Sequence, residues 1–284
     1  MPETRQILST RPIRLLPESA EPADRQLAAS VAQLAGLADQ GRPSLRWYRF
    51  DPPALLLGSS QRLEVADLAA CAAAGVKPHR RRSGGGAVLG DDSLLLLDLA
   101  LPPRDPLYTY DVTESYRWLA EVWAAALREL GLDARVLPVA EARADAQALD
   151  PLLKSVCYGG LSPYEVTVGG RKLVGLAQVR RQGGALIQAG AYLRWAPERT
   201  AALMAGTPAE RARLADLLDR RVAGLNAPRA SARIGAEQVQ ATVQRQLERM
   251  AGFALSPDGW SAAELAARDE ALARFAALAS SVGF

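Results

Sequence analysis

The segment from His79 to Val88, HRRRSGGGAV, sets three consecutive arginines against three consecutive glycines, and that combination suits an anionic or flat ligand held against bare backbone. Arg80, Arg81 and Arg82 offer fixed charge and forked donors that match phosphate or carboxylate. Gly84, Gly85 and Gly86 give up packing and lose more chain entropy on folding, which pays only where positive φ or close approach of a ligand to amides is needed. The pattern is neither GxxxxGK followed by Ser or Thr nor a GxGxxG turn opening a helix, so the common nucleotide loops are excluded. Two cysteines, Cys71 and Cys157, are too few and too far apart for a disulfide framework, and they leave a free thiol for chemistry. With His79 the only histidine, Ser/His/Asp catalysis, Cys/His catalysis and a histidine-based metal site are all excluded.

These residues need elements to position them. Ala87–Leu89 lead through Gly90, Asp91 and Asp92 into the apolar run Leu94–Leu97, which reads as a buried strand, so the glycine loop lies between strands. Leu45–Phe50 and Pro52–Gly58 read as earlier strands. A first helix is expected from Asp24 as N-cap, with Leu27, Val31 and Leu34 on one face and Gly41 beyond its end. An alanine-rich helix is expected over Glu64–Ala74, stopped by Gly75, carrying Cys71 three residues after Leu68 as a packed structural thiol. A longer core-facing helix begins near Thr113 and stops at Gly131. Tyr164–Val168, Gly169-Gly170 and Arg171–Gln178 form the strongest hairpin signal in the chain. A second hairpin runs through Gln182–Gly184 into Ala185–Leu193. From Thr207 the pattern is helical throughout, with one helix marked by Val239, Val243, Leu247 and Met250 and another over Ala262–Leu278, and Gly224–Pro228 as a joint.

At 284 residues and 49% hydrophobic, the chain can bury a substantial core. There is no run of eighteen apolar residues and no signal-peptide pattern, which predicts a cytoplasmic protein without membrane association. The net charge of +3 is mild and its arginines are dispersed among acids, so no nucleic-acid partner is expected.

Arg80–Val88 with Asp91 beyond it, WYRFDPPALLLGSSQ upstream (Trp47–Gln61) and GGRKLVGLAQVRR downstream (Gly169–Arg181) resemble, in this order, the lipoate/octanoate branch of the biotinyl/lipoyl protein ligase family. The resemblance implies an α/β (α+β) fold: a mostly antiparallel sheet flanked by helices. A biotin/lipoate-protein-ligase-like catalytic domain would span residues 24–254, with a helical C-terminal tail, 255–284, packed on it. It also implies an acyl tunnel beside the glycine loop and Lys172 next to the acyl carbonyl. Substrate contacts would come from Arg80, Arg81, Ser83, Gly84, Gly85, Gly86, Ala87, Gly175 and Ala177. The biotin branch fits less well, because its GRGR signature is absent.

Within that branch, ATP-dependent lipoate ligases make an acyl-adenylate, whereas cysteine-type octanoyltransferases carry the acyl group as a thioester. Cys157, in KSVCYGGLSPYEV, occupies the position of the transferase nucleophile and is similar also to that of cysteine amidotransferases. A free thiol has a pKa of about 8.5 and needs a nearby cation to ionise and to steady the oxyanion, a role for Lys172 carried inward by the apolar LVGLAQ. The resemblance therefore implies Cys157 and Lys172 as catalytic residues, no required cofactor and no metal. Acyl carrier protein would be the donor, and a lipoyl domain of the glycine cleavage H protein or of a 2-oxoacid dehydrogenase E2 the acceptor. Arg171, Arg180 and Arg181 beside Lys172 would steer an acidic carrier. Two alternatives stay open: a ligase using ATP and Mg²⁺ with Cys157 as a bystander, and a divergent acyl- or carrier-binding protein without catalysis. The second rests on Gly90 and Ala189, which stand where the family has histidines.

Overall fold

A computed structural model of the chain describes residues 10–226 and 233–280. Its strands, in chain order, are β1 (Arg11–Leu15), β2 (Ser19–Glu21), β3 (Ser44–Phe50), β4 (Ala54–Leu57), β5 (Lys77–Arg80), β6 (Val88–Gly90), β7 (Leu94–Leu101), β8 (Ala134–Val136), β9 (Val166–Val168), β10 (Arg171–Arg181), β11 (Gly184–Tyr192) and β12 (Phe253–Pro257). Its helices are α1 (Ala23–Ala35), α2 (Leu37–Gln40), α3 (Leu68–Ala73), α4 (Arg117–Glu129), α5 (Val139–Ala148), α6 (Pro197–Ala202), α7 (Pro208–Arg221), α8 (Ala236–Ala251) and α9 (Ala262–Ser280). Among the described residues, no helix is long and apolar enough to cross a membrane.

The large sheet has the order β12-β1-β3-β7-β11-β10-β9-β8, with β2 added to β3, and β5-β4-β6 form a smaller sheet. Pairing in the large sheet is antiparallel from β3 to β8 and parallel only where β1 meets β12 and β3 and where β2 meets β3. This is the expected mixed, mostly antiparallel sheet flanked by helices. Its axis is β7, apolar because both faces are covered. Alternate side chains of a strand point to opposite faces. Leu95, Leu97 and Leu99 therefore join Trp123 of α4 and Val243 and Leu247 of α8 in the main core. Trp47 packs edge-on against Trp123 at 5.9 Å. The other face of β7, with Leu94, Leu96 and Asp98, looks toward α1 and builds the site.

The strongest local signals form as expected. Gly169 and Gly170 adopt φ of 56° and 75°, the left-handed pair of a tight hairpin turn, and β10 then runs on into the second hairpin with β11. Others differ. The first helix is entered from Pro22, not capped by Asp24, and it breaks at Gly36 before the short α2 reaches Gly41. The expected helix over Glu64–Ala74 is split because the Asp67 carboxylate caps α3 by accepting from the Ala70 amide at 2.9 Å. Cys71 is fully buried, as read. The region after Thr207 is not helical throughout: β12 adds an edge strand on β1, and the expected domain limit at residue 254 falls inside it. The expected joint begins at Gly224, but its end, Pro228, lies outside the described residues.

The C-terminal helix is tied to the sheet by a buried ion pair. Arg14 of β1, 2% exposed, donates to both carboxylate oxygens of Glu264 at 2.7 and 2.9 Å and to Asp258 at 2.8 Å. Gly36 closes over this carboxylate, since a Cβ there would lie 2.3 Å from Glu264 Oε1. Removing one partner of such a pair leaves a buried charge uncompensated. Arg14→Met is therefore expected to cost about 3–5 kcal/mol in a denaturant titration. The double variant Arg14→Met/Glu264→Leu should recover part of that loss, and an unchanged midpoint in the single variant would show that α9 is held some other way.

Candidate active site

Cys157 opens a short 3₁₀ turn, Cys157–Gly159, in the connection between α5 and β9. This turn is stitched to the glycine loop: the Cys157 amide donates to Ala87 O at 2.9 Å and the Ala87 amide to Ser155 O at 2.8 Å. Gly86 is required by that approach, because a Cβ would sit 2.5 Å from the Val156 carbonyl carbon and 2.6 Å from Cys157 N. Gly85, at φ 93°, faces the thiol, and a Cβ built on it would lie 3.6 Å from Cys157 Sγ. Among the described residues, the amides of Gly84, Gly85 and Gly86 donate to no protein acceptor. A run of unpartnered N–H groups beside a thiol is an anion cradle.

The arginines of the loop divide in role. Arg81 clamps the loop from inside, donating to Leu56 O at 2.8 Å, Gly84 O at 2.6 Å and Gly86 O at 2.9 Å. Arg80, expected to contact substrate, is instead tied to the carbonyls of Gly58 and Gln61 and does not line the cavity described below. Arg82 is exposed and does line it. His79 lies on β5 away from that cavity, and burial holds its pKa below the usual value.

Lys172 reaches the site through a distortion of its strand. The register of β10 against β9 shifts between Lys172 and Val174, and the extra residue re-aims the lysine onto the face of Gly175. A Cβ at Gly175 would lie 3.2 Å from Lys172 Cε and 3.3 Å from the Tyr158 ring. At 1% exposure Lys172 is buried, as read. Its ammonium donates to Cys157 O at 3.0 Å and Gly160 O at 3.3 Å and pairs with Glu165 at 2.6 Å. All three protons are thus engaged, so the expected contact with an acyl carbonyl requires one of these bonds to open. Glu165 was not singled out in the sequence. Its carboxylate also accepts from the amides of Ser162 at 2.8 Å and Leu176 at 3.4 Å. Burial pushes its pKa up, against the opposing pull of Lys172. The available signal was an acid in the apolar strand that pairs with the lysine's own.

A cavity of about 440 Å³ extends from Cys157 between α1 and the sheet, lined by Leu27, Val31 and Leu34 on one side and by Leu96, Ala177 and Val179 on the other. Gly175 and Ser83 also line it, whereas Gly84 is open to solvent and Ala87 is buried in the stitch behind it. Tyr158 closes the floor beside the thiol, its hydroxyl donating to Gly190 O at 2.6 Å, and burial raises its pKa so that it keeps its proton. Behind the wall, Asp98 accepts from Arg46 at 2.9 Å, Ser30 at 2.5 Å and Gln188 at 2.8 Å, a buried network of which Ser30 and Gln188 reach the cavity lining. The two departures from the family pattern have local causes. At Gly90 a Cβ would meet the Phe50 ring at 2.4 Å, so Phe50 takes the space of a larger residue. Ala189, 1% exposed, belongs to the main core and also borders the cavity. Arg180 and Arg181 do not sit beside Lys172: β10 carries Arg181 about 30 Å along, at ~3.4 Å per residue. Arg180 is held at Gln178 and the Tyr110 carbonyl instead.

The family model for the lipoyl protein ligase A/B catalytic domain matches residues 23–248. The chain is 33% identical over 239 residues to an octanoyltransferase LipM of Kyrpidia tusciae, covering 83% of this chain and 85% of that one. It is 36% identical over 152 residues to an octanoyltransferase LipM of Moorella thermoacetica, where the match spans 53% of each chain, about half the relative's length. Among solved structures, a lipoate-protein ligase A bound with ATP superposes with a TM-score of 0.73 at 23% identity, covering 93% of this chain and 95% of that one. The bipartite lipoate protein ligase of Thermoplasma acidophilum gives 0.73 at 21%, covering 94% and 93%. These two likenesses are of fold.

The two thiols should differ in reactivity. Cys71 is buried, and desolvation raises its pKa, whereas Cys157 is half-exposed at the cavity. Iodoacetamide on the folded protein should alkylate Cys157 and reach Cys71 only after unfolding, read by peptide mass mapping; the reverse order would contradict the geometry.

Proposed function

This chain belongs to the lipoyl protein ligase A/B catalytic-domain family, and on that premise we propose that it is an acyltransferase of lipoate metabolism, moving an octanoyl group from a thioester donor through Cys157 to a lysine of a lipoyl domain. The observation that carries this reading is the placement of Cys157 Sγ at the end of an apolar cavity, against unpartnered amides and a turn held by a buried lysine.

The thiolate of Cys157 attacks the donor thioester carbonyl, and the C–S bond to the donor breaks as the new one forms. The donor sulfur departs as a thiolate and takes up a proton equal to the one released when Cys157 ionised, so the exchange is proton-neutral overall. The developing oxyanion faces the amides of Gly85 and Gly86, preorganised donors that cost no reorganisation. Lys172 holds the Cys157 carbonyl and supplies positive charge to the turn. In the second half, the neutral amine of the carrier lysine attacks the Cys157 thioester, an amide forms, and the amine proton returns to the cysteine sulfur. The acyl chain rests in the cavity, whose volume lies in the small-ligand range of roughly 300–1,000 Å³. A protein acyl carrier as donor and the lipoyl domains of H protein or E2 as acceptors belong to this proposal, as does independence from ATP, Mg²⁺ and any other cofactor.

Gly85→Ala puts a methyl group against the thiol in a backbone conformation that L residues rarely adopt. Acyl transfer should fall by about 10²-fold, equivalent to ~2.7 kcal/mol of barrier. Full activity with normal melting would reduce the loop to a turn.

The route itself is tested with octanoyl acyl carrier protein in EDTA without nucleotide. The enzyme should gain one octanoyl mass that hydroxylamine removes, and Cys157→Ala should gain none. Strict dependence on ATP and Mg²⁺, with Cys157→Ala fully active, would replace this reading by the ligase one. Silence under both conditions would favour a binding protein without catalysis.

A further inference from the structure

The acyl cavity takes part of its wall from α9, an element that lies beyond residue 248, where the family's catalytic domain ends. Phe275 of that helix is 6% exposed and lines the cavity. The helix lies antiparallel on α1: Glu264 sits against Gly36 at the end of α1, and two to three turns along α9 Ala271 and Phe275 pack with Ala28 nearer its start. Leu27 and Val31 pack against this cluster and line the cavity as well. Phe275 thus fills the wedge where α1 and α9 meet over the sheet.

The strand register gives its depth. At the thiol end, Gly175 and Gly190 pair across β10 and β11 and leave the space that side chains would take beside Tyr158. The next residues on that face are Ala177 and Gln188, with Asp98 opposite Gln188 on β7. Ser30 donates to Asp98, so α1 crosses the sheet at this level, and Val31 beside it carries the contact with Phe275. Two residues of strand span about 7 Å at ~3.4 Å per residue. An extended octanoyl chain measures about 9 Å from carbonyl carbon to methyl, taking C–C bonds of ~1.5 Å at tetrahedral angles. Its last carbons therefore meet Phe275. Past that level the sheet side closes, because the next pair, Val179 and Leu186, is 8% and 2% exposed and packs with Leu34 and Leu37. The margin beyond carries Arg82, Arg181 and Arg274, all exposed. Methylenes pushed there leave an apolar lining for water and charge and gain nothing by burial.

We propose that Phe275 is the acyl-length gauge of this enzyme: it stops the chain near the length of octanoyl, and a smaller residue in its place admits longer acyl groups. This rests on the acyl-transfer reading above and adds to it the residue that selects the chain. The helix α9 thereby becomes part of the substrate site, anchored at its start by the Arg14–Glu264 pair. Apolar pockets discriminate by roughly 10- to 200-fold per methylene, which sets the size of effect that one ring can exert.

The test measures kcat/KM for acylation of Cys157 by S-hexanoyl-, S-octanoyl- and S-dodecanoyl-pantetheine, each followed by intact mass. The native protein should prefer octanoyl to dodecanoyl, and in Phe275→Ala the dodecanoyl-to-octanoyl ratio should rise about tenfold or more. Phe275→Leu, which keeps most of the packing, should raise it by less. Val31→Phe narrows the same level from α1 and should act the other way, lowering the octanoyl-to-hexanoyl ratio about tenfold. Leu272→Ala controls for helix stability: Leu272 packs in the same contact of α1 with α9 but does not line the cavity, so it should lower the melting temperature and move neither ratio. An unchanged ratio in folded Phe275→Leu and Phe275→Ala would overturn the gauge, as would an equal shift in Leu272→Ala, which would assign selection to the fit of the whole helix. A native protein that takes dodecanoyl as readily as octanoyl would overturn it too. Failure of every thioester to acylate Cys157 would overturn the transfer reading and the gauge with it, whereas acylation with one chain-length profile in all variants overturns the gauge alone.

Discussion

The site depends on one buried ion pair. Lys172 and Glu165, at 1% and 2% side-chain exposure and 2.6 Å apart, cost several kcal/mol each in lost hydration and survive only because every donor and acceptor is used. The lysine spends its remaining protons on the carbonyls of Cys157 and Gly160, and the glutamate accepts from two amides on either side of the hairpin. The pair thus joins the cysteine turn to the strand that forms the cavity wall. A bulge in β10 is what allows it, because without the extra residue Lys172 would face away from Gly175.

Close backbone packing supplies the second half of the site. Gly86 presses on the Cys157 turn, Gly85 faces the sulfur, and Arg81 fastens the loop from behind through three carbonyls. The loop is held from its carbonyl side, which leaves its amides for a ligand. The same economy appears at Gly90, where Phe50 fills the volume that a histidine would need. No histidine lines the cavity among the described residues, and the transfer proposed above relies on thiol exchange and on fixed dipoles and charges.

How much of this was legible in the sequence follows from the range of the interactions. The Gly-Gly hairpin, the β7 run and the glycine loop are specified by near neighbours, and they form as read. Lys172 was recognisable as an inward residue because its flanks are apolar. Glu165 was not, since its meaning comes from a partner placed by a bulge. β12 was missed because it is a short edge strand whose partner, β1, begins at Arg11, at the opposite end of the chain. Arg274 carries no local signal at all; only α9 folding back along α1 brings it to the cavity. Arg80 reads like Arg81 in sequence, and only the fold assigns one to the Gly58–Gln61 turn and the other to the loop.

If the buried pair governs the nucleophile, its members should act as a unit. The direct measurement is the rate of thioester formation on Cys157 in Glu165→Gln, Lys172→Met and the double variant, followed by intact mass under one donor concentration. The account predicts that each single variant loses at least ~10²-fold, or about 2.7 kcal/mol of barrier, and that the double variant is no slower than the worse single one, because either change already breaks the unit. Thioester formation at the native rate in folded Glu165→Gln, or losses that simply multiply in the double variant, would contradict it.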